Sequence, residues 1–377
     1  MQIRPDAYSV RYGGGDTTQL EKTKEKLTKL GVEVDVSTSF NANLNNYDIV
    51  HLFNITRIQE TYLHAKRCMQ INKPYVLSTI YQSKNNISYY EQNGLYGLPG
   101  IISKVFKNEN TLQNIKSIAY TLQSKQSIVP FFTQLKYGFV NEQLEVLTNA
   151  SMLLPNSEME MKTINKEFNL QLNNYYIVPN GVEVNDEILQ VSTDLWNNKR
   201  HINNFIICPG RIEPLKNQIN VIKALSDTGL DIVFAGGINE KHRKYYNDFI
   251  SLVNKSPKLH YVGKLSREML FSAYKNAKVC VLASWFETTG LVGLEAGMMD
   301  CNVVITEKGY TKEYYGDYCW YCRPDDLNSI RNSVIQAYNH RKGYFSLKNQ
   351  IREKYTWEKA AEITLKAYEH VLNSNIG

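Results

Sequence analysis

The chain has no apolar run near the roughly 18–20 residues that a membrane-crossing helix requires, so no transmembrane span is expected. Its first residues, Met1-Gln2-Ile3-Arg4-Pro5-Asp6, lack the apolar segment of a signal peptide, and a cytoplasmic protein is expected. Charge of one sign is not concentrated anywhere. The formal net charge of +6 is spread evenly over both halves, which argues against nucleic acid as the main partner. The positive sign suits an anionic metabolite, or peripheral contact with the inner face of an anionic membrane. Cysteine is scarce, six in 377 residues, and scattered apart from Cys319-Trp320-Tyr321-Cys322. A lone CxxC without a second pair is weak evidence for zinc or redox chemistry, and buried thiols are the expectation. There is no short repeat, no low-complexity block, no GxGxxG fingerprint and no P-loop lysine. No metal site is expected.

What is present is length and alternation. At 377 residues, with 43% hydrophobic and 21% charged residues, the chain suits two globular domains, each with its own core. Strand-like apolar runs alternate with amphipathic helical stretches. In the first half, helix over Asp16 to Leu30 leads to strands at Val32 to Val36, Tyr47 to Phe53 and Pro74 to Ile80, with helix over Thr61 to Ile71 between the last two. A helical stretch over 110–149 leads to short buried strands at Ser151 to Pro155 and Tyr175 to Pro179. The pattern restarts near 205 and runs strand–helix to Ile305. Such alternation predicts α/β domains, each a parallel sheet with helices on both faces. The polar stretch 183–204 reads as the linker between an N-terminal domain over 1–182 and a second domain over 205–355, with a last helix over 356–377.

Three constellations carry chemistry. Arg211 and Lys216, in Pro209-Gly210-Arg211-Ile212-Glu213-Pro214-Leu215-Lys216-Asn217, lie between a strand and a helix. A guanidinium and an ammonium there suit the two negative charges of a diphosphate without a metal, although Arg211 could equally pair with Glu213. Glu287 and Glu295 flank a helix start in Phe286-Glu287-Thr288-Thr289-Gly290-Leu291-Val292-Gly293-Leu294-Glu295-Ala296. First-turn amides bind phosphate, and the two carboxylates sit at different levels, one placed to meet a sugar and the other a ribose. A capping acid plus a solvated helix face is the plainer reading. Finally, Tyr12-Gly13-Gly14-Gly15-Asp16 gives a glycine loop before the first helix, able to wrap a phosphate or simply to turn the chain.

Taken together with Val178-Pro179-Asn180-Gly181-Val182 and Tyr355-Thr356-Trp357-Glu358, these motifs resemble those of retaining GT-B glycosyltransferases of family four, in order and spacing, over essentially the whole chain. The resemblance implies two Rossmann-like domains facing across a cleft, with the C-terminal helix crossing back to an acceptor-side first domain. It implies that Arg211 and Lys216 bind the donor diphosphate, that Glu295 holds the nucleotide ribose and that Glu287 holds hydroxyls of the transferred sugar. The amides of Thr289, Gly290, Leu291 and Val292, with Gly14 and Gly15, would touch the donor. Arg211, Lys216 and Glu287 are the expected catalytic set. The chain departs from the family at Tyr81, where relatives often carry a histidine near the sugar, and at Asp300 and Asn302, usually Gly and Pro.

The implied reaction moves a sugar from a nucleotide-diphosphate sugar to a hydroxyl with anomeric configuration kept, independent of metal or other cofactor. Polysaccharide biosynthesis at a bacterial surface is the expected setting, with a glycan or lipid-linked acceptor. Acceptor contacts are expected around Gly14, Tyr81 and the stretch Gln82 to Tyr137, which is rich in tyrosine and lysine. Two other readings stand beside it: a non-catalytic glycosyltransferase-like partner subunit, which should have lost some of the four charged residues, and a sugar-nucleotide epimerase on the same fold.

Overall fold

The computed structural model describes residues 1–3, 14–96, 128–184 and 186–374. The expected helix over 110–149 therefore lies partly outside the described residues. Its described remainder forms helices Ile128–Tyr137 and Phe139–Thr148.

The chain divides into two compact units. The first comprises residues 1–3, 14–83, 128–180 and 357–374. Its sheet is parallel, with strands β1 (Val50–Phe53), β2 (Tyr75–Ser78) and β3 (Met152–Leu153) in that order. Every residue of the three is buried, His51 and Ser78 included, and the rest are apolar, which is why they read as short apolar runs. Single parallel bridges at Gln2↔Ser37, Gln2↔Leu52 and Leu153↔Tyr175 widen the sheet by one contact on each side. No strand forms over 32–36, where the nearest bridge is at Ser37, and the strand expected over 175–179 is reduced to the bridge at Tyr175 and the bonds from Tyr176 N–H to the Leu153 carbonyl and from Val178 N–H to that of Pro155.

The second unit comprises residues 84–96, 181–184 and 186–356. Its six strands are all parallel: β4 (Ile206–Pro209), β5 (Ile232–Ala235), β6 (Leu259–Tyr261), β7 (Val279–Leu282), β8 (Asn302–Thr306) and β9 (Trp320–Cys322). Their spatial order is β6-β5-β4-β7-β8-β9. Chain order therefore reverses between β4 and β7, and in open α/β sheets the carboxyl ends of the strands at that reversal hold ligands. Apolar clusters cover both faces, one around Leu294, Met298, Tyr314 and Tyr315, the other around Ile222, Phe249 and Val334.

Two boundaries differ from the sequence division. The stretch expected to be a linker over 183–204 is packed into the second unit. It contains helices Asp186–Leu189 and Asp194–Arg200, and Trp196, 0% exposed, stacks on Phe205 at 4.9 Å. The Trp196 indole N–H donates to the Ile202 carbonyl at 2.9 Å, so its one polar atom is satisfied. Residues 84–96, including helix Lys84–Asn93, belong with the second unit, not the first. The last helix, Trp357–Ser374, belongs to the first unit. There Tyr368 meets His51 Nδ1 at 2.7 Å, and Lys26 pairs with Glu358 at 2.8 Å.

Candidate active site

The charged motifs meet at the topological switch of the second unit. After β4 the chain turns through Gly210, whose φ of +137° is open only to glycine. A Cβ on Gly236 would lie 1.9 Å from the Gly210 carbonyl oxygen, so the loops after β4 and β5 touch backbone to backbone. That contact presents Arg211 outward, its side chain 48% exposed and its Nη2 3.4 Å from Glu213. Glu213 is itself buried and accepts from Asn239 Nδ2 at 2.6 Å. The plainer reading of Arg211 as partner of Glu213 is thus realised, yet about half of the guanidinium side chain remains open to solvent.

Lys216 ends the short 3-10 turn Pro214–Lys216. Its ammonium donates to Glu287 Oε1 at 2.6 Å, and Ser284 Oγ donates to the same oxygen at 2.7 Å. The loops after β4 and β7 are pinned by two further bonds: Trp285 N–H donates to the Leu215 carbonyl, and Asn217 Nδ2 to that of Ala283, both at 2.9 Å. Asn217 also donates to the Pro324 carbonyl at 2.8 Å. It takes a left-handed φ of +61°, which asparagine tolerates better than most side chains.

Glu287 is fixed through its backbone. Its N–H donates to the Lys308 carbonyl at 3.1 Å, and its own carbonyl accepts from Tyr310 N–H at 3.0 Å. A Cβ on Gly309 would fall 1.8 Å from that carbonyl oxygen. Gly290, at φ +73°, turns the chain into helix Leu291–Met298, and its carbonyl accepts from the Tyr315 hydroxyl at 2.6 Å. The first-turn amides of Leu291 and Val292 have no acceptor within the helix and are positioned for an anion. Thr289 is buried beside them. Glu295 follows in the second turn, half-buried; burial pushes its carboxyl up to about 7, and Arg267 pulls the other way.

Sequence reasoning missed the support beneath these loops. Tyr90 packs on Trp285 and edge-on to Phe286, and Tyr89 also contacts Trp285. A Cβ on Gly94 would come within 2.4–2.6 Å of the Trp285 indole, so this segment lies flat on the ring. Tyr96 donates to Asp248 and meets Tyr245 edge-on at 5.3 Å. Along the chain these tyrosines fall in the stretch expected to meet the acceptor; the Trp285 that holds them is almost two hundred positions away. Asn217 and Ser284 were legible only as neighbours of the charged residues.

The remaining expected residues lie in the first unit. Gly14 precedes helix Gly15–Lys29, its N–H donating to Thr17 Oγ1 at 3.3 Å, while a Cβ on Gly15 would meet nothing within 4 Å. Tyr12 and Gly13 of that loop lie outside the described residues. Tyr81 does not present its ring to solvent. After β2 the chain passes through Ile80 at φ +42°, and the Tyr81 side chain turns into the core against Phe168, its hydroxyl donating to Glu167 at 2.7 Å. The buried phenol is satisfied there. Residues 97–127 of the expected acceptor stretch lie outside the described residues.

Cys319 and Cys322 are buried free thiols, and burial pushes Cys319 up to about 12. Among the described residues there is no metal-type cluster of His, Cys, Asp or Glu, and no helix is long and apolar enough to cross a membrane.

This architecture is the GT-B fold. Over 96% of the chain and 94% of its counterpart, it superposes on sucrose-phosphate synthase of Thermosynechococcus elongatus with a TM-score of 0.68 at 14% identity. HepE of Anabaena, solved in complex with UDP, gives 0.67 at 12% identity over 95% and 96% of the two chains. Residues 195–354 match the family described as glycosyl transferases group 1. In sequence, 153 residues are 26% identical to an uncharacterized glycosyltransferase of Methanocaldococcus jannaschii. That match spans 39% of each chain, about two-fifths of the relative's length.

Proposed function

We propose that the chain is a retaining glycosyltransferase that moves a sugar from a nucleotide-diphosphate sugar to a hydroxyl. The observation that carries this reading is the convergence of Arg211, Lys216, Glu287 and a glycine-led helix start on the switch point of one parallel sheet. A diphosphate entering there meets two cations and the first-turn amides. Its negative charge grows as the bond to the sugar C1 breaks, so these preorganised groups act most strongly in the transition state. Lys216 would exchange part of its bond to Glu287 for phosphate, freeing a carboxylate that Ser284 still orients toward sugar hydroxyls. On the same-face route, the leaving phosphate oxygen takes the acceptor's proton while the acceptor oxygen bonds to C1, and no separate base is needed. Glu295 would accept from the ribose.

The site needs no metal on this reading, because two cations balance the diphosphate. Uridine is the first base to try, since HepE was solved with UDP and with UDP-glucose. The acceptor side belongs to the first unit, where helix Ile128–Tyr137 exposes Val129, Phe132 and Leu135 next to Lys136. An apolar stripe beside lysine suits a lipid-linked acceptor at an anionic membrane face, in keeping with surface-glycan synthesis.

Calorimetric titration with UDP, GDP, ADP and dTDP, with and without EDTA, tests the donor site. One nucleotide should bind in EDTA and bind more weakly to Glu295→Ala. Failure of all four would overturn the reading in favour of a non-catalytic partner subunit.

A further inference from the structure

The donor loops occupy the carboxyl ends of β4 and β7. Where β7 and β8 begin, at the other end of the same sheet, the second unit has a cavity of about 280 Å³. Leu189, Met298 and Met299 give it an apolar side, and Thr193, Lys275, Lys342, Lys348 and Asp300 line the rest.

The charges do not balance. Lys275 Nζ donates to the carbonyls of Leu189 and Val191, both at 2.7 Å, and Lys342 Nζ donates to the carbonyl of Lys275. Among the described residues neither ammonium has a carboxylate partner. Asp300 pairs with Lys348 at 3.1 Å, which leaves two positive charges in excess. Desolvation lowers the pKa of both Lys275 and Lys342, Lys348 adds repulsion at Lys275, and Asp300 partly offsets both. Carbonyl capping explains each of the two lysines separately. It does not explain why three ammoniums share one cavity. Each ammonium has three donors, so Lys275 keeps one unused, and Lys342 and Lys348 keep two each. The acid is held by an unusual turn: Asp300 takes a left-handed φ of +59°, with Gly343 so close that a Cβ there would touch it at 3.4 Å.

We propose that this cavity binds a small phosphate-type dianion, free or as the monoester of a small alcohol, separately from the donor loops. The dianion neutralises the excess charge and takes up the unused donors, while the methionines face the alcohol portion of a monoester.

The test is calorimetry of the full chain with inorganic phosphate and with glycerol 3-phosphate. The variants are Lys342→Met, Lys348→Met, Lys348→Arg, Asp300→Asn and Arg211→Ala. One site should persist unchanged in Arg211→Ala, weaken roughly tenfold or more in either methionine variant and survive in Lys348→Arg. Asp300→Asn should tighten it, because the competing carboxylate is gone and asparagine keeps the turn. Tighter glycerol 3-phosphate identifies a monoester; equal affinity identifies free phosphate. Absence of binding by either anion at millimolar concentration would overturn the proposal, as would binding lost only in Arg211→Ala. Should Lys342→Met fail to fold, Lys348→Met and Asp300→Asn decide.

Discussion

Lys216 and Glu287, 71 positions apart in the chain, meet at 2.6 Å across the point where the second sheet reverses its order. The pair holds a cation and an acid in register before any substrate arrives. Exchanging Glu287 for Gln should lower turnover about a hundredfold or more while leaving UDP affinity within a few fold. Lys216→Ala should instead weaken UDP binding itself, roughly tenfold to a hundredfold, read by calorimetry. Unchanged turnover in Glu287→Gln would remove it from the catalytic set.

Glu295 gives a pH dependence. Burial raises its carboxyl to about 7, so the folded protein holds a proton that the unfolded chain releases near pH 4.5. Stability contributed by this group therefore falls as pH rises through that window and levels above 7. Ribose hydroxyls donate best to the ionised form, so UDP should bind more tightly to wild type at pH 8 than at pH 6. Glu295→Gln serves as the control for UDP's own ionisation. A ratio of wild-type to variant affinity that stays constant with pH would rule the carboxylate out of the ribose contact.

Glu142 in the first unit offers a purely structural titration. It is 0% exposed, and neither carboxylate oxygen has a hydrogen-bond partner among the described residues. Burial, then Glu145 and Glu60, push it up to about 8. Stability should drop between about pH 4.5 and 8 by up to roughly 5 kcal/mol, and Glu142→Gln should flatten that slope in urea titrations. An unaltered slope would mean that the carboxyl is solvated.

Asn217 ties the loop after β4 to the carbonyls of Ala283 and Pro324. Removing its amide strands two carbonyls in a buried site. Asn217→Ala should cost about 2–3 kcal/mol in denaturant unfolding and loosen UDP binding as the two loops drift apart. Asn217→Gly keeps the backbone turn without the bonds. Equal damage from both would assign the effect to the amide, whereas full rescue by glycine would assign it to the turn.

Gly94 lies against the Trp285 ring, where any Cβ overlaps the indole. Gly94→Ala should lift the 84–96 segment, destabilise the second unit by about 1–3 kcal/mol and weaken UDP binding through Trp285, whose N–H holds Leu215. Melting temperature and nucleotide affinity should fall together.

The sheets of both units were legible because buried parallel strands are short apolar runs punctuated by amphipathic helices. Ile206–Pro209 and Val279–Leu282 are clear cases. That Lys216 and Glu287 lie in loops of the same sheet was legible because their spacing survives in the linear text. The 84–96 segment was not, since tyrosines that pack on a distant tryptophan look the same in sequence as tyrosines facing water. Trp196 was hidden in a polar stretch because one large apolar side chain can anchor a segment whose composition reads as linker. Tyr81 was legible as a position but not as a direction, which the turn at Ile80 decides.

The helix Trp357–Ser374 completes the first unit, against the helix Gly15–Lys29 and His51, although the whole second unit precedes it in the chain. During synthesis the ribosome therefore finishes the first unit last. Until the final 18 helical residues emerge, the surface that Tyr368 and its neighbours will cover stays bare, while the second unit already has all its strands. A nascent chain stalled or cleaved shortly before Trp357 would carry a finished half and an open one. Quality control can recognise that exposed surface, so damage to this helix would be expressed as lost protein abundance before any change in chemistry.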